Sequence, residues 1–247
     1  MRMTVSIATA LLLTASAAFA GDHGTHWGYT GHTGPEHWGD ISEKFHICST
    51  GMNQSPINII ASFDADLPAI GFRYKSAPTE ILNNGHTVQV NVADGSTMTI
   101  EGHTYTLKQY HFHTPSENHI GGKEFPLEAH FVHADAEGNL AVVGVMFEEG
   151  AENAELAKLW AHMPMEAGEH HTLTSTPEAV TGLLPSNGEY YRFNGSLTTP
   201  PCSEGVKWMV MKTPLSISKA QVEQFSHAIH GHNNRPIQPV NARVVAE

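Results

Sequence analysis

The chain has little of what a nucleic-acid or membrane protein needs. Lys and Arg together number 13 against 25 Asp and Glu, a formal charge of −12. That excess repels phosphate backbones and anionic lipids, which excludes nucleic acid as a partner. Beyond residue 20 no apolar run approaches the ~20 residues that a spanning helix needs, so no membrane insertion is expected. No Pro/Gly/Ser-rich linker divides the sequence and no internal repeat stands out, which points to one domain. The His-Glu-x-x-His pattern of zinc peptidases is also missing. Cysteine is scarce, with Cys48 and Cys202 the only two.

What is there begins at the N-terminus. Arg2 precedes an apolar stretch from Val5 to Leu13, and Ala18-Phe19-Ala20 precedes Gly21. This is the pattern of a cleavable export signal over residues 1–20, leaving 21–247 as the mature domain, periplasmic or secreted. In an oxidising compartment an even cysteine count is usually paired. A Cys48–Cys202 disulfide is therefore expected, with two buried free thiols as the alternative.

The middle of the chain reads as strands. Val88, Val90 and Val92 alternate with polar residues, Asp94-Gly95 marks a turn, and Met98 and Ile100 alternate again, which together predict a hairpin. Further strands are predicted for Tyr105 to His113, Leu127 to His133, Leu140 to Phe147 and Val206 to Val210. Helix is expected from Ala151 to Met163. A second helix follows Ser218, whose capping box with Gln221 puts Val222, Phe225 and Ile229 on one face. Pro- and Gly-rich stretches from Gly21 to Pro56 and after Thr172 predict long ordered loops.

Histidine is abundant at 18 residues, and most need no special role. His111 and His113 differ. A strand repeats its faces every second residue, so Gln109, His111 and His113 project to one side and Tyr110 and Phe112 to the other. In Leu127 to His133 the same parity groups Glu128, His130 and Val132. Three neutral imidazoles with a fourth position open describe a catalytic Zn2+ site, whereas a structural site normally takes four protein ligands. Gln109 and Glu128 share faces with these histidines and are placed to accept their outer N–H groups. A strand carrying a histidine pair with no metal is the competing reading.

With these residues in view, the sequence resembles the α-class carbonic anhydrases. The matching blocks are His26-Trp27-Gly28-Tyr29, Gly34-Pro35-Glu36-His37-Trp38, Gln54-Ser55-Pro56-Ile57-Asn58-Ile59 and Asn83-Asn84-Gly85-His86. They continue through Gln109 to His113, Ser116-Glu117, Glu128 to His133, Ser196 to Cys202 and Asn234-Arg235-Pro236. The resemblance implies a mainly β, single-domain fold, with a large twisted, mostly antiparallel central sheet and short peripheral helices. It implies reversible hydration of carbon dioxide to bicarbonate, with those small molecules and water as partners; a homo-oligomer stays open. His111, His113 and His130 match the zinc ligands, and Gln109 and Glu128 the groups that orient them.

Thr198 matches the threonine that hydrogen-bonds the metal's hydroxide, and Glu117 the carboxylate that holds that hydroxyl. His86 matches the residue that carries protons to solvent, a turn histidine being the bland alternative. Val132, Val142, Leu197, Val206 and Trp208 resemble the apolar wall beside the metal, with Thr199 in the same pocket. The family's bacterial branch typically pairs cysteines like Cys48 and Cys202. Thr114 departs from the pattern, since many animal relatives carry tryptophan there. A non-catalytic binding module of the same fold is the alternative function; the intact ligand set and the Thr198–Glu117 pair weigh against it.

Overall fold

The computed structural model describes residues 25–247, so the export signal expected over 1–20 lies outside the described residues. In chain order the strands are β1 (Asn58–Ile59), β2 (Gly71–Arg73), β3 (Pro78–Asn83), β4 (Val88–Val92), β5 (Thr97–Ile100), β6 (His103–His113) and β7 (His119–Ile120). They continue as β8 (Leu127–Ala134), β9 (Leu140–Glu149), β10 (His170–Thr172), β11 (Tyr190–Ser196), β12 (Glu204–Met211) and β13 (Leu215–Ile217). The helices are short: α1 (Trp38–Ile41), α2 (Ile47–Thr50), α3 (Ala154–Trp160), α4 (Glu178–Thr181) and α5 (Lys219–Ala228).

One 11-stranded sheet runs in the order β10-β3-β4-β6-β8-β9-β12-β11, with β5 also on β6, β2 on β5 and β13 on β9. Within this sheet pairing is antiparallel except where β12 and β13 lie parallel to β9, and β1 and β7 form a separate parallel pair. The mainly β, mostly antiparallel expectation holds.

The predicted hairpin does not form. β4 and β5 never pair with each other; both run antiparallel to β6, β4 opposite Gln109 to His111 and β5 opposite His103 to Thr106. Asp94-Gly95 is a jog in one line of strand, and the Ser96 hydroxyl there accepts the N–H groups of Lys75 and Ser76. The true hairpin lies one element later. Glu101 and Gly102 have φ of 53° and 78°, the left-handed pair that a tight two-residue turn between β5 and β6 demands. Tyr190–Ser196, read as loop, is a full strand on β12.

Alternation along β6 and β8 splits the interior in two. Tyr110, Phe112, Ala129 and Phe131 face a large core closed by Leu156, Trp160 and Phe225 of α3 and α5. Val132, Val142, Val206 and Trp208 face the other way, with Ile57, Ile59 and Phe193. The α5 capping box forms as expected. Helix α3 is shorter than Ala151 to Met163 because Asn153 caps it, its side chain accepting from Glu155 N and Leu156 N. A third, smaller core gathers Trp38, Phe45 and the Cys48–Cys202 disulfide.

Candidate metal centre

Register sets the site. Across the β6–β8 ladder His111 lies opposite His130 and His113 opposite Glu128, so the two same-face sets read from sequence form one surface. On the next strand Gly144 stands opposite His130. A Cβ at Gly144 would come within 3.0 Å of Glu128 Oε1 and 3.2 Å of Val210 Cγ2, so any side chain there would crowd the Glu128 carboxylate.

One ligand atom from each of His111, His113 and His130 lies within 4.8 Å of the others, the one such group of three among the described residues. Each outer nitrogen is committed elsewhere. His111 Nδ1 is 2.8 Å from Gln109 Oε1, and His113 Nδ1 is 2.8 Å from the Asn233 carbonyl. Both partners are oxygens that accept, so both Nδ1 atoms carry the proton. His130 Nε2 lies 3.0 Å from Glu128 Oε1, a close contact that falls short of a straight hydrogen bond. Glu128 is itself locked: Oε2 accepts from Glu117 N and Asn118 N, and Oε1 from Asn118 Nδ2, all at 2.8 Å.

The inner nitrogens are thereby left as lone pairs. His113 Nε2 is buried with no hydrogen-bond partner, and so is Glu117 Oε2 only 3.5 Å away. The same oxygen is 3.8 Å from His130 Nδ1. Electron-rich atoms facing one another without a proton between them call for a cation, so the residues fit a metal ion. Burial, and then the neighbouring His130, lowers His111 to about 3. Burial likewise holds His113 well below the ordinary histidine value. For His130 burial also disfavours charge, but Glu128 and Glu117 outweigh it and raise the value. Glu117 is pushed up to about 7, chiefly by burial.

Of the other expected residues, Glu117, Thr198 and Trp208 connect directly to this point. Glu117 Oε1 accepts the Arg235 N–H at 2.8 Å, and the Thr198 hydroxyl lies close enough to favour the charged carboxylate. Trp208 meets His130 edge to face at 4.8 Å. Val132, Val142, Val206 and Trp208 form one apolar cluster with half-buried Leu197 against it, and Thr199 is half-buried beside Thr198. The Gln54-Ser55-Pro56 block backs the Thr198 loop: Ser55 N donates to Ser196 Oγ at 2.9 Å and Gln54 Nε2 to the Cys202 carbonyl at 3.0 Å. His86 stands apart, half-buried and stacked on Trp27 with centroids 3.7 Å apart. Thr114, the departure from the animal pattern, is buried with its hydroxyl donating to the Pro126 carbonyl.

Comparison with known proteins gives this site its context. Residues 33–247 match the profile of the family described as eukaryotic-type carbonic anhydrase. The chain belongs to that family. It is 54% identical to a carbonic anhydrase of Neisseria gonorrhoeae, covering 97% of this chain and 96% of that one. The solved α-carbonic anhydrase of Photobacterium profundum is 51% identical, with a TM-score of 0.84 over 90% of this chain and 100% of its own. That of Thermovibrio ammonificans, solved with sulfanilamide, is 47% identical with a TM-score of 0.85, covering 91% and 100%. The chain is thus a carbonic anhydrase, a lyase that interconverts carbon dioxide and bicarbonate.

Asn233, Asn118 and Gly144 were missed in the sequence. Arg235 fell within a matching block without a role. Asn233 lies 120 residues from His113, and no periodicity links them.

Proposed function

We propose that His111, His113 and His130 hold the zinc ion of this carbonic anhydrase, oriented by Gln109, the Asn233 carbonyl and Glu128. The observation that carries the reading is the set of three inward lone pairs, each left by an outer N–H that faces an acceptor. Zinc, when bound, lowers the pKa of the water it carries to about 7, a value known from carbonic anhydrases themselves.

This chain's residues do the rest. A charged Glu117 carboxylate only accepts, so the Thr198 hydroxyl donates to it and turns a lone pair toward the reacting water. That oxygen then favours a partner with a proton to give. Carbon dioxide has no donor, and Val132, Val142, Leu197, Val206 and Trp208 offer a wall that holds it without stripping water from a polar group. Thr199 lines the same mouth. His86, with its ring against Trp27, passes protons between the site and solvent.

The enzyme works outside the cytoplasm, periplasmic or secreted. The leader pattern over 1–20 supports this, as does a disulfide of the kind that persists in oxidising compartments. No helix among the described residues is long and apolar enough to cross a membrane.

The test is the zinc content and stopped-flow hydration rate of the mature enzyme and of His113→Ala. The variant is expected to lose most zinc on dialysis and nearly all turnover. Stoichiometric zinc with full turnover in His113→Ala would overturn the assignment.

A further inference from the structure

The loop from Gly31 to Trp38 belongs to neither the sheet nor the central triad, yet it is tightly held. Gly34 N donates to the Gly31 carbonyl at 3.0 Å, His37 N to the Gly34 carbonyl at 2.9 Å and Gly28 N to the Thr33 carbonyl at 2.9 Å. Trp38 is fully buried, and its Nε1 donates to the Gly28 and Thr33 carbonyls at 2.9 and 3.0 Å. The loop is therefore a fixed platform, and its exposed side chains are free to move on it.

Three of those side chains are metal-ligating types. The His32 and His37 rings are 6.1 Å apart, against 4.6 to 5.4 Å within the central triad. Glu36 Oε1 is 3.9 Å from His37 Nε2. A Cβ at Gly34 would come within 3.0 Å of Glu36 Oε2, so the glycine lets this carboxylate fold back over the loop. All three side chains are exposed, and neither imidazole makes a side-chain hydrogen bond among the described residues.

We propose that His32, Glu36 and His37 form a second, surface site for a divalent ion of the zinc and copper class. Two imidazoles and one carboxylate make a donor set that suits such ions and leaves positions for water. Calcium and magnesium, which take oxygen donors, are disfavoured. The donor atoms are not yet gathered as those of the triad are, and closing the rings from 6.1 Å to the triad's 4.6 to 5.4 Å is a movement within reach of side-chain rotation on a fixed backbone. Among the described residues no acceptor orients the outer N–H groups here, so the site binds more weakly than the triad and exchanges its ion with solvent.

The experiment titrates Zn2+ by calorimetry into the mature enzyme already holding zinc at its centre. One further, weaker equivalent per chain is expected. Its affinity should fall at least about tenfold in His37→Ala and in Glu36→Gln, since loss of even an outer-sphere partner costs 10–100-fold. Both positions are exposed, and hydration activity should stay unchanged, which also reports an intact fold and centre. His227→Ala/His230→Ala, on a separate depression, should leave the titration as in the wild type. Absence of a further equivalent would overturn the proposal, as would undiminished binding in His32→Ala/His37→Ala or a loss that followed His227 and His230 instead.

Discussion

The backbone carbonyl of Asn233 accepts the Nδ1–H of His113 at 2.8 Å, while the Asn233 side chain accepts from Thr114 N at the same distance. One residue thus fixes both the tautomer of His113 and the backbone just after it. The Asn233 amide also donates to the His86 and Phe112 carbonyls at 3.0 and 2.9 Å. Asn233→Ala keeps the carbonyl but removes the bonds that place it. About 1–3 kcal/mol of stability should be lost in urea unfolding, because Thr114 N is left buried without its acceptor, while the Phe112 carbonyl keeps the Thr87 hydroxyl as a donor. Zinc retention against a chelator should weaken as well. An unchanged unfolding midpoint would mean that water replaces the side chain.

The Cys48–Cys202 bridge spans 154 residues. In the chain-entropy treatment, closing a loop that long contributes about 5 kcal/mol, and measured values often fall below the figure. Reductant should therefore lower the melting temperature of the mature enzyme markedly. Two free thiols by mass spectrometry of untreated protein would remove the basis for this expectation.

His86→Ala separates relay from turn residue. A group of pKa near 7 releases protons to water no faster than about 10⁻⁷ M times about 10¹⁰ M⁻¹s⁻¹, or roughly 10³ s⁻¹. Turnover above that needs a relay, and an imidazole both accepts and gives up protons near neutrality. Burial, and then the charge of His26, lower the His86 pKa below 6.5. The expected result is lower maximal turnover at low buffer, kcat/KM little changed and partial rescue by imidazole. Full turnover without buffer would return His86 to the turn.

His133, on the opposite face of β8 from His130, hydrogen-bonds Tyr74 Oη through Nε2 at 2.7 Å and is fully buried. Burial lowers it to about 4, against 6.5 for the free side chain. Between those values the unfolded chain binds a proton that the folded one refuses. Its contribution to stability is complete above pH 6.5 and falls away as pH drops toward about 4, by an order of 3 kcal/mol in all. By NMR the His133 imidazole should not titrate between pH 5.5 and 7; an ordinary titration there would contradict the burial argument.

Much of the centre was legible because strand parity is strictly local. Gln109, His111 and His113 share a face by spacing alone, and the register of β6 on β8 only had to bring Glu128 and His130 opposite them. Local signals misled where pairing was decided elsewhere. Asp94-Gly95 has turn chemistry, yet β6 offers a longer partner to both flanking strands than they offer each other. The positive-φ Glu101-Gly102 turn carried a weaker signature because Glu seldom adopts that conformation. Asn233 and Gly144 act through a carbonyl and through a missing side chain, and neither leaves a pattern in composition or periodicity.

The distance along the chain between His113 and its acceptor has a consequence for the order of assembly. All three imidazoles have been synthesised once the chain reaches His130, and β6 and β8 are neighbours in the sheet joined by residues 114–126, which include β7. The acceptor for His113 arrives only with Asn233, and the N–H that holds Glu117 only with Arg235. A nascent or truncated chain ending before those residues carries every metal donor, with Gln109 and Glu128 beside two of them, but lacks the acceptor that aims His113 and the N–H that holds Glu117. The aim of His113 is thus settled by the last segment of the chain to be made, although its metal-facing partners lie in the middle.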